Sequence, residues 1–429
     1  MEGPRLNIKS LKDCSFKGKT VIFRPDINSP IDTKTKKIVN TNRIEKTIPT
    51  LKYMLDAGAR VALIAHQGDT LDYENLIPLA EHAEKLSALL GKTVAYIDDV
   101  CGPAAQQAVK NLKDGEAVIL GNLRYLTEEI SGFEKEVKLK PEQMLETWLI
   151  RSLAPLGDIY VNDAFAAAHR NAPSLVAFQE LLPTAGGLQL MEEYTALKSV
   201  MDNPKRPCIF VLGGAKISDA FGMMRKALED KTADAILTGG VTGLLMLMAK
   251  GIDLGAKQKQ FMADKDLLAF LPEAKDLLDK WGGRYVLPLD LAYEKDGKRM
   301  EIDVKDIKPS VTGDLLYPDL GQKTIKLFKE KIAGAGAVFV NGPAGVYENP
   351  LFADGTREVW TAIADAPGYT VVGGGDTISA AAAFTDLSKY SYVCTAGGAM
   401  VRFLGGKKLP LIDAMEKAFD RNITTPIRK

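Results

Sequence analysis

Short apolar runs recur along this chain, and the residues that come directly after them differ between its two halves. In the second half, five runs lead directly into a glycine turn: 209–212, 235–238, 337–340, 369–372 and 392–395. In the first half, the runs end in cationic or polar side chains such as Arg24, His66 and Arg124. Runs that are apolar on both faces and alternate with helical patterns are typical of parallel sheets covered by helices. The pattern therefore predicts an α/β protein with two doubly wound, Rossmann-like domains.

The length of the chain also favours two domains. A chain of 429 residues exceeds what one hydrophobic core usually supports, so we expect two domains of about 200 residues each. Leu190, Tyr194, Leu197 and Met201 keep helical spacing, which predicts a helix between the halves. The expected limits are 1–184 for an acid-substrate domain, 185–202 for the joining helix and 203–408 for a nucleotide-binding domain. The amphipathic tail 409–429 is expected to pack back on the first domain.

Charge and composition exclude several classes of partner. The 55 basic and 55 acidic residues balance, which argues against nucleic acid or an acidic membrane as the main partner. The four cysteines are widely spaced and include no Cys-x-x-Cys, as in a protein with reduced thiols. The start of the chain is polar, and the apolar stretch 244–249 is too short to span a bilayer. We therefore expect a cytoplasmic protein without nucleic-acid or membrane partners.

The glycine turns of the second half indicate phosphate binding. Glycines after a buried strand let backbone N–H groups approach a phosphate, and the next helix adds its dipole. The strongest turn is 373–377, where Asp376 could face a metal or cap the helix that Thr377 opens. Lys216 lies in the first turn of a predicted helix, where the dipole disfavours a cation unless it binds a phosphate. Glu348 could bind ribose hydroxyls or be an ordinary surface residue. The chain has no P-loop and no G-x-G-x-x-G after its first strand.

The polar strand ends of the first half indicate a small charged substrate. Arg24, Asp26 and Asn28 alternate, and a period of two predicts that they share one face that could hold a hydroxylated anion. Arg43 begins a predicted helix against the dipole preference, and His66 follows a strand. Four arginines and two histidines occur at such ends: Arg24, Arg43, Arg124, Arg170, His66 and His169. By contrast, His82 falls inside a helical pattern and is expected on the surface or in the core.

These segments together resemble the phosphoglycerate kinase family along almost the whole chain, and their sequences are most similar to those of the archaeal members. The matching segments are 24–30, 42–44, 65–68, 122–124, 160–170, 212–216, 237–240, 287–290, 340–348 and 373–377. The resemblance implies a hinge-bending kinase of glycolysis and gluconeogenesis that uses ATP/ADP and Mg²⁺. Its reaction is the reversible in-line transfer of the γ-phosphate of ATP to the carboxylate of 3-phosphoglycerate, giving 1,3-bisphosphoglycerate. A monomer is expected, with a dimer as the alternative.

The same resemblance implies roles for individual residues. The acid substrate would be held by Arg24, Asp26, Asn28, Arg43, His66, Arg124 and Arg170. The nucleotide would be bound by Gly214, Lys216, Gly239, Gly240, Asn341, Pro343, Gly345, Glu348, Gly373, Gly374, Gly375, Asp376 and Thr377, with the metal at Asp376. Catalysis would depend on Arg43, Lys216, Gly374 and Gly397. A substrate carboxylate is already a nucleophile at neutral pH, so alignment and positive charge are what the protein must supply.

Three positions depart from the family pattern. Asp69 replaces the usual Arg or Lys after Gly68, Ala220 replaces a second lysine found in many members, and Gly121 replaces an acid. An anion in place of a cation near a phosphate reverses a local attraction, which keeps a paralogous kinase for another phosphorylated or hydroxylated acid as an alternative. A nucleotide-binding protein without turnover is a more remote alternative, and a dehydrogenase is disfavoured because no dinucleotide fingerprint is present.

Overall fold

The computed structural model describes residues 6–69, 72–312 and 314–428, which divide into two compact units. Unit 1 contains the described residues up to Thr195 and those from Lys408 onward. Unit 2 contains the described residues from Ala196 to Lys407. The two α/β units predicted from the sequence are confirmed, and each is built on a parallel sheet.

Unit 1 is organised around a sheet whose neighbouring strands are all parallel within the described residues. Its strands are β1 (Thr20–Pro25), β2 (Arg60–Leu63), β3 (Val94–Tyr96), β4 (Ala117–Ile119), β5 (Ile159–Asp163) and β6 (Thr184–Gly186), in the order β3-β4-β2-β1-β5-β6. Every residue of β1 is buried. After β1, the chain adds β2, β3 and β4 on one side of β1, and it then adds β5 and β6 on the other side. A topological switch point therefore lies at β1. In open α/β sheets, ligands bind at the carboxyl ends of the strands at such a point.

Helices flank this sheet in the alternating order that the sequence predicts. They are α1 (Asn42–Asp56), α2 (Ala80–Leu90), α3 (Pro103–Asn111), α4 (Ser131–Val137), α5 (Trp148–Leu153), α6 (Pro173–Val176) and α7 (Leu188–Met201).

On α2, His82 is fully buried, and its Nε2 donates to Gln67 Oε1 at 3.0 Å. Burial is the main cause that lowers the pKa of His82 to about 4. It is therefore a core residue.

Unit 2 contains a second parallel sheet and a small antiparallel one. The parallel strands are β7 (Cys208–Leu212), β8 (Ala235–Thr238), β9 (Tyr285–Val286), β13 (Ala337–Asn341), β14 (Tyr369–Gly373) and β15 (Tyr392–Cys394), in the order β15-β14-β13-β7-β8-β9. The antiparallel sheet, β11-β10-β12, consists of β10 (Asp290–Lys295), β11 (Lys298–Asp303) and β12 (Asp319–Leu320). The sequence pattern did not predict this smaller sheet. The switch point of the parallel sheet lies between β7 and β13, where two of the glycine turns begin.

The helices of unit 2 cover its sheets, and one more helix comes after the unit. The covering helices are α8 (Ile217–Glu229), α9 (Gly240–Ala249), α10 (Ala256–Ala263), α11 (Leu271–Trp281), α12 (Pro309–Thr312), α13 (Gln322–Ala333), α14 (Asp354–Ala364), α15 (Gly375–Phe384) and α16 (Gly397–Leu404). The last helix, α17 (Pro410–Arg421), belongs to unit 1, where Leu411 N donates to Ala168 O. Across the described residues, no helix is both long and apolar enough to cross a membrane.

The boundary between the units falls inside α7, after Thr195. The sequence placed a joining helix at 185–202, and α7 begins three residues later. The division predicted from the sequence, into an acid-substrate domain ending at 184, a joining helix ending at 202 and a nucleotide-binding domain ending at 408, remains a proposal.

Candidate functional site

The carboxyl end of β1 presents a buried arginine beside a histidine. Arg24 is 2% exposed, and its Nη2 lies 2.8 Å from Nδ1 of His66, which follows β2. A guanidinium has no lone pair to offer, so Nδ1 is the acceptor. Burial lowers the pKa of His66 well below its usual value, and the charge of Arg24 lowers it further. The pair is therefore a neutral imidazole bonded to a guanidinium.

Arg43, Asp26 and Asn28 lie nearby, but not for the reason that the sequence suggested. β1 ends at Pro25, so the alternation of a strand does not extend to Asp26 and Asn28. Arg43 Nη1 instead donates to Asp26 Oδ2 at 2.7 Å, and Asn28 Oδ1 accepts from Gly68 N at 2.9 Å. Arg43 is the second residue of α1, as predicted, and its ion pair with Asp26 leaves 36% of its side chain exposed.

Arg124 and Arg170 meet at one backbone carbonyl. Arg124 Nη1 donates to Glu129 O at 2.6 Å, and Arg170 Nη2 donates to the same oxygen at 3.3 Å. Asn122 holds Arg124 by accepting from its backbone N–H, and Arg170 Nε also pairs with Glu134 at 3.0 Å. The Nε of Arg124 is buried without a hydrogen-bond partner in the described part of the chain.

The arginines are close enough to influence one another electrically. Burial, followed by repulsion from Arg170 and Arg24, lowers the pKa of Arg124 to about 10. Glu129 and the exposed Asp69 act on Arg124 in the opposite direction. Buried and half-buried cations that repel one another, with a buried N–H donor that lacks a hydrogen-bond partner, are suited to bind a multivalent anion.

In unit 2, the predicted glycine turns after β7, β8 and β13 bond to one another. Gly214 N donates to Pro343 O at 2.9 Å, and Gly240 N donates to Ala344 O at 2.7 Å. Gly239 packs against the same loop, since a Cβ there would lie 3.2 Å from Ala344 Cα.

A cavity of about 380 Å³ opens beside these turns, which is within the size range of ligand pockets. Five predicted nucleotide residues line it: Gly214, Gly240, Pro343, Gly345 and Glu348. Gly345 must lack a side chain, because a Cβ there would lie 2.4 Å from Asp319 Oδ1. One wall is apolar and was not foreseen from the sequence; it consists of Val241, Leu244, Phe261, Leu316, Tyr317 and Val346. Gln258 supports this wall by accepting from Tyr317 N at 3.1 Å.

A second group of predicted residues lies at the start of α15. Asn341 Nδ2 donates to Gly373 O at 2.7 Å, and Thr377 Oγ1 accepts from Gly342 N at the same distance. The backbone of Gly374 has a φ of 96°, a conformation that residues other than glycine rarely adopt. These contacts hold the turn after β14 against the turn after β13. Gly375 and Gly397, the first residues of α15 and α16, have open space where a side chain would lie.

Lys216 and Asp376 form an ion pair at the helix starts. Lys216 Nζ lies 3.3 Å from Asp376 Oδ2, and the two side chains are 73% and 71% exposed. Lys216 is the N-cap residue of α8, one position before the predicted first turn. Such exposed pairs contribute little to stability, so both side chains are free in energetic terms to exchange partners with a ligand.

Asp376 is also the predicted metal ligand. Within the described residues, no group of three or more His, Cys, Asp or Glu side chains is arranged to hold a metal. Mg²⁺ at phosphoryl-transfer sites is usually held by one or two carboxylates together with substrate phosphates. A single carboxylate beside phosphate-binding turns therefore fits a metal that arrives with the nucleotide.

The comparisons with known proteins agree over nearly the whole chain. The family model for phosphoglycerate kinase matches residues 11–407. Phosphoglycerate kinase of Methanococcus maripaludis is 39% identical over 416 residues, covering 96% of this chain and 99% of that protein. The enzyme of Thermococcus kodakarensis is 37% identical over 413 residues, with 96% and 98% covered.

Two solved structures are similar as well. Phosphoglycerate kinase from Pyrococcus horikoshii OT3 superimposes with a TM-score of 0.84 at 36% identity, covering 96% of this chain and all of that one. The structure from Coxiella burnetii gives a TM-score of 0.80 at 29% identity, with 96% and 99% covered.

Proposed function

This chain belongs to the phosphoglycerate kinase family, and from that premise we propose which residues bind each substrate and which act in the transfer. The chain is a kinase that transfers phosphate between ATP and the carboxylate of 3-phosphoglycerate, a step of glycolysis. Unit 1 binds the acid and unit 2 binds the nucleotide. The observation that carries this division is the cluster of guanidinium groups in unit 1, where the buried Arg24 and the half-buried Arg124 lie with a neutral His66.

The acid site works through charge and shape. Arg24, Arg124 and Arg170 surround the phosphate of 3-phosphoglycerate, and the unbonded Nε of Arg124 donates to it. His66, Asp26 and Asn28 bind the hydroxyl and orient the arginines. Because His66 is neutral and held by Arg24, it acts as a hydrogen-bonding group and not as an acid or base.

The nucleotide site combines an apolar wall with phosphate-binding turns. The base and ribose occupy the 380 Å³ cavity, with Glu348 on the ribose hydroxyls. The phosphates extend toward Lys216 and the glycines 373–375, where α15 begins with its positive dipole end. Asp376 would hold Mg²⁺, which would neutralise phosphate charge when bound, and Thr377 keeps the turn in place through its bond from Gly342 N.

The transfer itself needs no general base, because the attacking carboxylate is ionised at neutral pH. Arg43, Lys216 and the backbone N–H groups of Gly374 and Gly397 stabilise the charge on the moving phosphoryl group. Lys216 leaves Asp376 for the phosphate at little cost, since their ion pair is exposed.

Measuring ADP release that depends on an added acceptor tests this function. We expect turnover with 3-phosphoglycerate and little with D-glycerate, which lacks the phosphate that the arginines bind. Arg124→Gln should raise KM for 3-phosphoglycerate by about 10²-fold for a lost charge-assisted bond, whereas Arg151→Gln, at an exposed position on α5, should not. Equal turnover of D-glycerate and 3-phosphoglycerate would contradict the proposed acid site.

One observation favours a second candidate, a kinase for a related acid. Asp69 occupies a position where the family usually has a cation, and its negative charge raises the pKa of Arg124. Profiling phosphorylated and hydroxylated carboxylic acids in the same assay separates the two candidates, because the related kinase would turn over another acid faster than 3-phosphoglycerate.

We also propose that the protein is cytoplasmic and monomeric, with a dimer as the alternative. Light scattering of the purified chain decides between the two oligomeric states, since a mass near 46.6 kDa supports the monomer.

A further inference from the structure

A buried acid, Glu129, lies behind the arginine cluster and has no place in the function proposed above. Its side chain is 2% exposed, and both of its carboxylate oxygens accept hydrogen bonds from Ser174. Oε1 accepts from Ser174 N at 2.7 Å, and Oε2 accepts from Ser174 Oγ at 2.7 Å. Burial raises the pKa of Glu129, whereas the two hydrogen bonds from Ser174 and the charges of Arg24 and Arg124 lower it and so favour the ionised carboxylate.

Glu129 is linked to three arginines of the cluster, to one of them through Ser174 and to two of them directly. Ser174 Oγ also accepts from Arg24 Nε at 3.3 Å, so one hydroxyl links this guanidinium to the carboxylate. The backbone carbonyl of Glu129 accepts from Arg124 and Arg170. The charge of Glu129 raises the pKa of both Arg24 and Arg124, which opposes the lowering by burial and by Arg170.

Without a bound anion, this cluster has an electrostatic cost. Arg24 is fully buried, and neighbouring guanidinium groups repel it at short range in a region that water reaches poorly. Asp26 and Glu134 pair with Arg43 and Arg170 at the partly exposed rim of the cluster. Glu129 supplies negative charge on the buried side of the cluster.

We propose that Glu129 is a built-in counter-anion of the acid site, which compensates the arginine charges when no substrate is bound and thereby weakens the binding of the acid. This inference rests on the function proposed above. The carboxylate and the substrate phosphate compete for the same cations, although the carboxylate stays in place. Glu129 therefore stabilises the ligand-free protein and favours release of the acid.

Glu129→Gln tests this role, because glutamine keeps the shape of the side chain and can still accept from Ser174 N. The matched control is Glu128→Gln, since the half-buried Glu128 lies one residue earlier and accepts from Leu149 N at 2.9 Å. We expect E129Q to bind 3-phosphoglycerate about fivefold more tightly, to bind sulfate more tightly as well, and to unfold at a lower temperature without ligand. Saturating 3-phosphoglycerate should narrow the difference in Tm from the wild type. E128Q should match the wild type in its binding constants.

The direction of the binding change separates charge compensation from ordinary structural support. Unchanged or weaker binding by a natively folded E129Q would overturn the proposal, since loss of mere support weakens binding. If the wild type fails to bind 3-phosphoglycerate, the proposed function is wrong, and the sulfate titration still decides about Glu129. If E129Q does not fold in dilute buffer, sulfate should restore its circular dichroism better than chloride at equal ionic strength, and failure of that rescue would refute the counter-anion.

Discussion

Replacing Asp69 tests how this chain recognises the phosphate of its acid substrate. Asp69 is exposed, and its negative charge raises the pKa of Arg124, which places it within the electric field of the arginine cluster. The substitution Asp69→Arg should therefore tighten the binding of 3-phosphoglycerate, and Asp69→Asn should do so less.

The magnitude follows from the exposure of the side chain. Exposed charge pairs are worth about 0.2–1 kcal/mol, so removing the charge in Asp69→Asn should improve affinity by about two- to threefold. Reversing it in Asp69→Arg changes the interaction by roughly 1–2 kcal/mol, or about tenfold in affinity. Because exposed charges are screened, the effect should shrink between about 0.05 M and 0.5 M salt.

The assay is calorimetric titration with 3-phosphoglycerate at both salt concentrations, combined with KM from the coupled assay. Asp114→Asn is the matched control, because Asp114 is an exposed acid that pairs with Arg60. Arg60 begins β2, whereas His66 follows the other end of the same strand. If Asp69→Arg abolishes turnover of the best acceptor, Asp69 is a specificity determinant and the related-kinase candidate gains. No change in affinity would mean that Asp69 does not act on the bound acid.

Three further substitutions test the other charged groups. Lys216→Ala should lower kcat by roughly 10²-fold or more while nucleotide affinity measured by titration changes little, because a charge that acts on the moving phosphoryl group matters mainly in the transition state; an unchanged kcat would exclude this role. Arg43→Ala should remove most activity with a small change in Tm, since its ion pair is partly exposed, and a nearly normal rate would make Arg43 an ordinary surface charge. Burial raises the pKa of Asp163 to about 6, so the folded protein binds this proton more tightly than the unfolded chain does. Compared with Asp163→Asn, the wild type should gain about 2 kcal/mol of unfolding free energy from pH 7 to pH 4, measured by urea denaturation, and a constant difference between the two would contradict the raised pKa.

The alternation of apolar runs and helices was enough to predict both parallel sheets. Strands of five or six buried residues, as in β7 and β1, give a clear sequence pattern because both of their faces are covered. β6 was missed because three residues, of which the last is glycine, give no period to detect. The antiparallel sheet was missed because β11 has no buried residue and β12 has only two residues.

The candidate site was predictable where strand ends fix positions, and less so elsewhere. The carboxyl ends of parallel neighbours meet at one edge, which is why Arg24 and His66 lie together. The period-2 argument for Asp26 was wrong because proline ends β1 one residue earlier. Ser174, which supports Arg24 from 150 positions away, and Phe261, which lines the cavity, have no local pattern that could indicate a site.

The placement of α17 has a consequence for how the protein is made. Residues 410–428 pack on unit 1, where Arg421 bonds to Gln179 O and Ile427 N to Leu181 O, yet a ribosome produces them after the roughly 200 residues of unit 2. At translation rates of about 5–20 residues per second, unit 1 waits roughly 10–40 s for its last helix. During that interval the apolar surface that later receives Leu411, Ile412 and Met415 is open to water. Newly made unit 1 is therefore a natural substrate for chaperones, whereas unit 2 can complete its fold without waiting.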